Sequence, residues 1–260
     1  MLFFLIISFA ASIIGSICGI GGGVIIKPLL DVTGMAGVAV SSFLSGCTVL
    51  SMSLYSVGKL MISKESKINL RRSIPLVIGS IVGGFAGGQI FSWLQQLFEN
   101  PNMAGAVQAG CLLVVTLGTL LYTLKKDKIP TLNVTNDLLV VLIGFALGTM
   151  SSLLGIGGGP INLVVLFYFF SMDTKTASQN SLFVILFSQI SNLMTTLATH
   201  SVPAFEPVSL ILMIIGGIGG GIVGRMLSKK MDNSHTDKLL IGLMIVIMII
   251  CGYNVYRYCM

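Results

Sequence analysis

The residues in this chain best suited to chemistry are two runs of glycine. Gly19-Ile20-Gly21-Gly22-Gly23 returns as Gly155-Ile156-Gly157-Gly158-Gly159, 136 positions later. Three glycines together break a helix more strongly than close packing requires, so each run is expected to end one helix and begin another. The first amides of a new helix lack intrahelical acceptors, and the helix dipole adds positive potential at that end. Such an end is suited to an anion. Glycine also removes side chains that would hold a ligand away from the amides, and Pro160 fits the first helical turn. The candidate anion site is therefore the backbone of Gly21, Gly22, Gly23, Val24 and Ile25, together with that of Gly157, Gly158, Gly159, Ile161 and Asn162. The competing reading is that these glycines serve helix packing alone.

Side chains near the runs extend the candidate site. Ser41, Ser42, Ser45, Cys47, Thr48 and Ser51 follow the first run, and Gln179, Asn180, Ser181, Ser188, Asn192 and Thr195 follow the second. Ser42, Ser45, Asn180 and Ser181 are taken as substrate-binding. Positions 181, 188, 192 and 195 share a helical face that could line a pathway, with hydrogen bonding between helices as the alternative. Lys27 is the one basic residue of its segment. It could contact a bound anion, pair with Asp31 one turn on, or extend along a short helix toward water.

The elements that must hold these residues are transmembrane. The 260 residues are 54% hydrophobic and 9% charged, with a mean hydropathy of +0.97, against roughly a quarter charged in an average soluble domain. Apolar runs of about 20 residues recur along the whole chain and leave no room for a soluble domain. The first run, 2–17, lacks a basic leader and leads into the glycines, so it is read as part of the mature protein. The net charge of +6 reports topology, not nucleic acid. Lys59, Lys64, Lys67, Arg71 and Arg72 share one connection; Lys125, Lys126 and Lys128 share another; Arg225, Lys229, Lys230 and Lys238 mark a third. The connections near 31–38, 95–103 and 199–207 hold no Lys or Arg, and Asp31, Glu99 and Glu206 sit in or beside them. The first set is expected to be cytoplasmic and the second external.

A second pattern repeats at nearly the same offset. Gly79, Gly83 and Gly87 are spaced by four, as are Gly216, Gly220 and Gly224. Their expected role is close helix packing. Two matched motifs in one order indicate duplication, and the charge map opposes the matching spans: 38–58 against 177–198, 74–94 against 207–227, and 104–124 against 239–258. The expected fold is an all-α polytopic membrane protein of two inverted-topology repeats, each a re-entrant or broken helical hairpin followed by three transmembrane helices. The first repeat is 1–125, a cytoplasmic linker 126–136, and the second repeat 137–260, with both termini external. The hairpins, 2–31 and 138–171, place their glycine tips inside the bundle, where protein or a polar cavity satisfies broken backbone.

Cys18, Cys47, Cys111, Cys251 and Cys259 are an odd number, and four lie in apolar segments. They are read as packing residues, because no CxxC or Cys/His spacing accompanies them. No Ser/His, His/Glu or paired-Asp constellation lies at membrane depth. Hence no catalytic residue, metal or cofactor is expected, and the chain is not read as an enzyme. His200 is expected to be exposed and Trp93 interfacial.

The two GIGGG motifs, Pro28 after the first, and the small polar stretches at Ser41-Ser42 and Asn180-Ser181 resemble the TauE/SafE family of sulfite and sulfonate transporters over essentially the whole chain. Lys27 stands where that family usually has an apolar residue. The resemblance implies transport, usually export, of small sulfur-containing anions such as sulfite, thiosulfate, sulfonates or sulfoacetate across a bacterial cytoplasmic membrane. The lipid bilayer is the other expected partner, nucleic acid is not, and a coupling ion such as H+ stays open. A passive anion channel and an uptake permease for an organosulfur compound are the alternative functions.

Overall fold

Ten α-helices make up the computed structural model, which describes residues 2–63, 68, 70–97, 101–156 and 158–259. They are α1 (Leu2–Cys18), α2 (Gly23–Thr33), α3 (Val38–Ile62), α4 (Leu70–Leu97), α5 (Pro101–Lys125), α6 (Asp137–Leu153), α7 (Pro160–Phe170), α8 (Thr174–Ala198), α9 (Pro207–Lys230) and α10 (Asn233–Cys259). There is no strand among the described residues. Lys64, Lys67, Glu99 and Gly157, singled out from the sequence, lie outside the described residues.

Length separates the helices into two kinds. Those of α3, α4, α5, α8, α9 and α10 are long and apolar enough to cross a membrane, since 25 residues make a helix of about 37 Å against a hydrocarbon core of about 30 Å. The 11 residues of α2 and of α7 reach only about 17 Å. Each follows a 17-residue helix across a glycine turn. Large apolar side chains such as Ile74, Ile78, Val82, Ile211, Ile215 and Ile249 are exposed on the outer faces of the long helices. A water-soluble surface does not tolerate apolar area of that extent. This is a multi-pass membrane protein.

Glycine lanes decide which helices meet. Gly79, Gly83 and Gly87 of α4 lie against the carbonyls of Val141, Phe145 and Thr149 of α6, and a Cβ at any of the three would collide with them. Gly216, Gly220 and Gly224 of α9 meet Ser8, Phe9, Ser12, Ile13 and Ser16 of α1 in the same way. Packing is thus what these two series do. Their residue order also gives direction: α6 runs with α4, and α1 runs with α9. Further pairs extend the comparison. Gly217 and Gly221 of α9 sit beside Ser51 and Met52 of α3. Likewise, the hydroxyls of Ser73 and Ser191 bond across α4 and α8, to Asn180 Oδ1 and to the Ile81 carbonyl, each at 2.8 Å. So α3 also runs with α9, and α8 with α4. The N-terminal half of α3 faces the C-terminal half of α8 across a shared cavity, which sets these two helices in opposite directions.

Polar ties lock the short helices. Arg257 of α10 donates to the carbonyls of Asp31 and Val32 at the C-terminus of α2, where a cation complements the helix dipole. Asn254 Nδ2 donates to the Pro28 carbonyl at 3.0 Å. The end of α7 is met by the connection after α5: the amides of Leu132 and Val134 donate to the carbonyls of Tyr168 and Phe169 at 2.7 and 2.9 Å. Just past the end of α5, Lys126 Nζ donates to Asp237 Oδ2 of α10 at 2.6 Å and to Thr174 Oγ1 of α8 at 3.1 Å, and lies 4.9 Å from the centre of the Phe167 ring.

Candidate functional site: hairpin tips and two cavities

Both glycine runs break the helix as the sequence requires. Gly19 and Gly155 stand at equivalent places with φ of 75° and 64°, a left-handed conformation that glycine adopts without steric cost. At each of them the space for a side chain is already filled. A Cβ at Gly19 would sit 2.6 Å from Ser178 Cβ, and one at Gly155 would sit 2.6 Å from Ser42 Oγ. Ser42 and Ser178 are themselves 136 positions apart, so the two tips are cradled by matching positions of α3 and α8. The last carbonyls of the entering helices are capped by side chains: Ser178 Oγ donates to Cys18 O, and Gln108 Nε2 to Leu153 O, both at 2.8 Å.

The tips abut. A Cβ on Gly23 would collide with the Ile156 carbonyl, and Ser45 Oγ donates to the Gly23 carbonyl at 3.4 Å. Ile20, Val24 and Ile156 are 0%, 0% and 2% exposed. Neither α2 nor α7 has a side-chain hydrogen bond at its N-cap, Gly22 or Gly159. The first turns of two helices therefore meet in the interior, each without a capping side chain.

A cavity approaches this seam from each end of the bundle. One, of about 90 Å³, has its mouth near Gln95, Ser201 and Pro203 and ends at Ser152 and Gly155 beneath the second tip. Among the described residues its lining carries no formally charged side chain. The Oγ atoms of Ser42 and Ser152 and the Nε2 of Gln189 on its wall are buried with no hydrogen-bond partner among the described residues. The other, of about 410 Å³, ends at Ser16, Ile17 and Ser178 beneath the first tip and is flanked by Lys175, Arg225 and Lys229. The two cavities share no lining residue.

The sequence profile of the sulfite exporter TauE/SafE family matches residues 4–250. The chain belongs to this family. Among its relatives are the probable membrane transporter protein YunE of Bacillus subtilis, 23% identical over 95% of this chain and 94% of its own length, and the probable membrane transporter protein MJ0441 of Methanocaldococcus jannaschii, 26% identical over 91% and 89%. No solved structure matches the chain.

Within this TauE/SafE protein the candidate residues separate into three groups. Ser42 lines the uncharged cavity, next to the second tip. Gly21, Gly22, Gly23, Val24 and Ile25, and on the other side Gly158, Gly159 and Asn162, belong to the tips and their first turns and line neither of the two cavities; Ile161 instead faces an outer apolar groove with Leu139, Leu142 and Met150, because it lies on the side of α7 turned away from α2, and Gly157 lies outside the described residues. Asn162 Oδ1, at the start of α7, and Ser181 Oγ, one turn beyond Ser178 on α8, are both buried and lack partners among the described residues. The third group is engaged elsewhere. Lys27 Nζ pairs with Asp31 Oδ2 at 2.7 Å, with both side chains under 5% exposed, so the intrahelical pairing is the one present. Asn180 accepts from Ser73 and donates to the Thr176 carbonyl at 2.7 Å, which makes it a tie between α8 and α4. Ser152, Gln189 and Gln108 did not stand out in the sequence. Ser152 could have been found from Ser16, 136 positions earlier, because both close the end of a cavity. His200 and Trp93 are exposed. Cys18, Cys47, Cys111 and Cys251 are free thiols.

Proposed function

We propose that this protein is a secondary transporter for small sulfur-containing anions of the sulfite, sulfonate, thiosulfate or sulfoacetate type, working as an exporter in a bacterial cytoplasmic membrane. Its halves, 1–125 and 137–260 joined by the linker 126–136, act as inverted repeats, with the Lys- and Arg-bearing connections cytoplasmic and both termini external. The opposed directions of α3 and α8 support that reading.

One observation carries the mechanism: two cavities enter from opposite ends, each stops at one hairpin tip, and the abutting tips divide them. A continuous pore would join them, so the division favours alternating access over a passive channel. Rocking of the halves about the seam parts the tips toward one cavity at a time. The anion then meets first-turn amides of α2 and α7, with Ser42, Ser45, Ser152, Ser181 and Gln189 as neutral donors around it. Amide dipoles and hydroxyls suit a reversibly carried anion, because they hold it without the full charge that would trap it.

Flux of labelled sulfite and of sulfonates in proteoliposomes tests this, with counterflow separating a carrier from a channel. Replacing Gly22 and Gly158 together by Leu should abolish flux. Undiminished flux in a double variant that still elutes as a folded protein removes the seam as the site.

A further inference from the structure

The two cavities are counterparts of each other across the duplication, yet among the described residues they differ in charge at every place where charge occurs. Ser16 and Ser152, Ser42 and Ser178, Gly46 and Leu182, Ser56 and Asn192, and Leu60 and Thr196 are each separated by 136 positions, and each pair contributes one residue to each cavity. The three cations of the larger cavity follow the same relation. Lys175 corresponds to Ala39 at an offset of 136, while Arg225 and Lys229 correspond to Gly88 and Ser92 at 137. All three small neutral counterparts line the smaller cavity. One recess is thus a cationic version of the other.

Topological charge bias explains why Lys and Arg gather at that end of the bundle. It does not require them to wall a recess that runs to a hairpin tip. Arg225 is also fixed in place: Nη1 donates to the Ser56 carbonyl at 3.1 Å and Nη2 to Ser63 Oγ at 2.8 Å. Below it, Ser56 Oγ is buried, 2% exposed, and has no hydrogen-bond partner among the described residues. A rigid guanidinium, two ammonium groups and a hydroxyl with unused capacity are groups that can hold a small oxyanion.

We propose that the cavity between Lys175, Arg225, Lys229, Ser56 and Ser178 is an anion vestibule that captures the small oxyanion from the basic end only, and that the neutral cavity is the low-affinity side from which it leaves. This rests on the transport reading and adds a sidedness to it. Convergent cations in a cleft with low-dielectric walls raise the local concentration and arrival rate of an anion by tenfold or more. The neutral cavity offers no such attraction. Unequal affinity at the two ends does not set the thermodynamic direction of transport, but it makes the carrier efficient at low substrate on the basic side.

The test compares saturation by labelled sulfite in inside-out and right-side-out membrane vesicles, for the wild type and for Lys175→Gln/Lys229→Gln and Lys175→Glu/Lys229→Glu. Arg225 is left intact because it also ties α9 to α3. The Gln pair should raise the half-saturating concentration at the basic end on the order of tenfold relative to the opposite end, and the Glu pair should raise it further. The wild-type asymmetry should shrink in about 0.5 M salt, where screening acts within a few ångströms. An anionic lipid headgroup would answer to the same cations, so the purified variants are also measured in vesicles of phosphatidylcholine with and without phosphatidylglycerol. Equal shifts at both ends, or a charge effect present only with phosphatidylglycerol, would overturn the vestibule. Saturable wild-type flux with variants indistinguishable from it would overturn the vestibule and leave the transport reading standing. A folded wild type that moves neither sulfite nor sulfonates would remove the transport reading itself.

Discussion

Replacing Gln189 by Met should make the empty protein more stable and its substrate complex less so. Gln189 is 2% exposed, and its Nε2 has no partner among the described residues. Burying such a donor costs about 1–3 kcal/mol. Because the side chain faces a cavity of about 90 Å³, large enough to admit water, the lower end of that range applies, about 1 kcal/mol. Methionine matches the length of glutamine without the amide, so Gln189→Met should recover that cost. A hydrogen bond to a charged ligand contributes roughly 1.5–3 kcal/mol, so losing one weakens binding by roughly 10- to 150-fold. The two effects have opposite signs and one assay reads both. At a ligand concentration of about 100 Kd the wild type gains about 2.7 kcal/mol from binding, whereas a variant with a tenfold weaker site gains about 1.4 kcal/mol. Thermal unfolding in detergent, with and without sulfite or sulfoacetate, should therefore give a raised baseline Tm and a ligand shift cut to about half. A lowered baseline together with an unchanged ligand shift would show that Gln189 is a packing residue with no contact to the anion.

The remaining expectations concern how the scaffold holds. Neutralising one member of the buried Lys27–Asp31 pair, by Lys27→Met or Asp31→Leu, should cost about 3–5 kcal/mol, and the double replacement much less, as read from thermal unfolding. Gly83→Leu should separate α4 from α6 and Gly220→Leu should separate α9 from α1, each lowering the yield of folded protein, whereas Gly110→Leu should be mild because no atom lies within 4 Å of a Cβ built there. Gly155→Ala should lose about 1–3 kcal/mol, since it forces both a left-handed non-glycine residue and a close approach to Ser42. At the start of α10, hydrogen bonds from the His235 amide and then its ring hold the Asp232 carboxyl below the usual carboxylate range. The cap is thus intact above the unfolded-state value of about 4 and is lost as pH falls through the lower folded value. Amide exchange over the first turn of α10 should accelerate only in that acid window.

Much of this architecture was legible because membrane insertion limits what a sequence can mean. Glycines spaced by four leave one face of a helix without side chains, so Gly79, Gly83 and Gly87 announced a close neighbour before its identity was known. The GIGGG runs could be read as helix breaks because no continuous helix tolerates three glycines so near together at little cost. What was not legible depended on which wall a polar side chain faces. Asn180 and Gln179 are adjacent and equally costly in a membrane. In the structure Gln179 lines the cationic cavity, and Asn180 turns to Ser73 on α4. Nothing in the local pattern separates the two, since the partner is 107 residues away. Lys27 shows the same limit. Its pairing with Asp31 was one of three readings, and it is the burial of both groups beneath α10 that makes the pair necessary.

The docking of α1 on the glycine lane of α9 bears on how the chain is made. Roughly two hundred residues leave the ribosome between these helices, so the opening segment waits in the bilayer without the groove shaped for it. In turn α6 lies on α4, so the first helix of each hairpin takes its glycine lane from a helix distant in the sequence. A nascent chain stopped after α5 would have α3 to hold α2 but would lack the α9 lane for α1 and the α10 side chains that tie the end of α2. A single blocked glycine in that late helix therefore undoes a fit begun at residue 2.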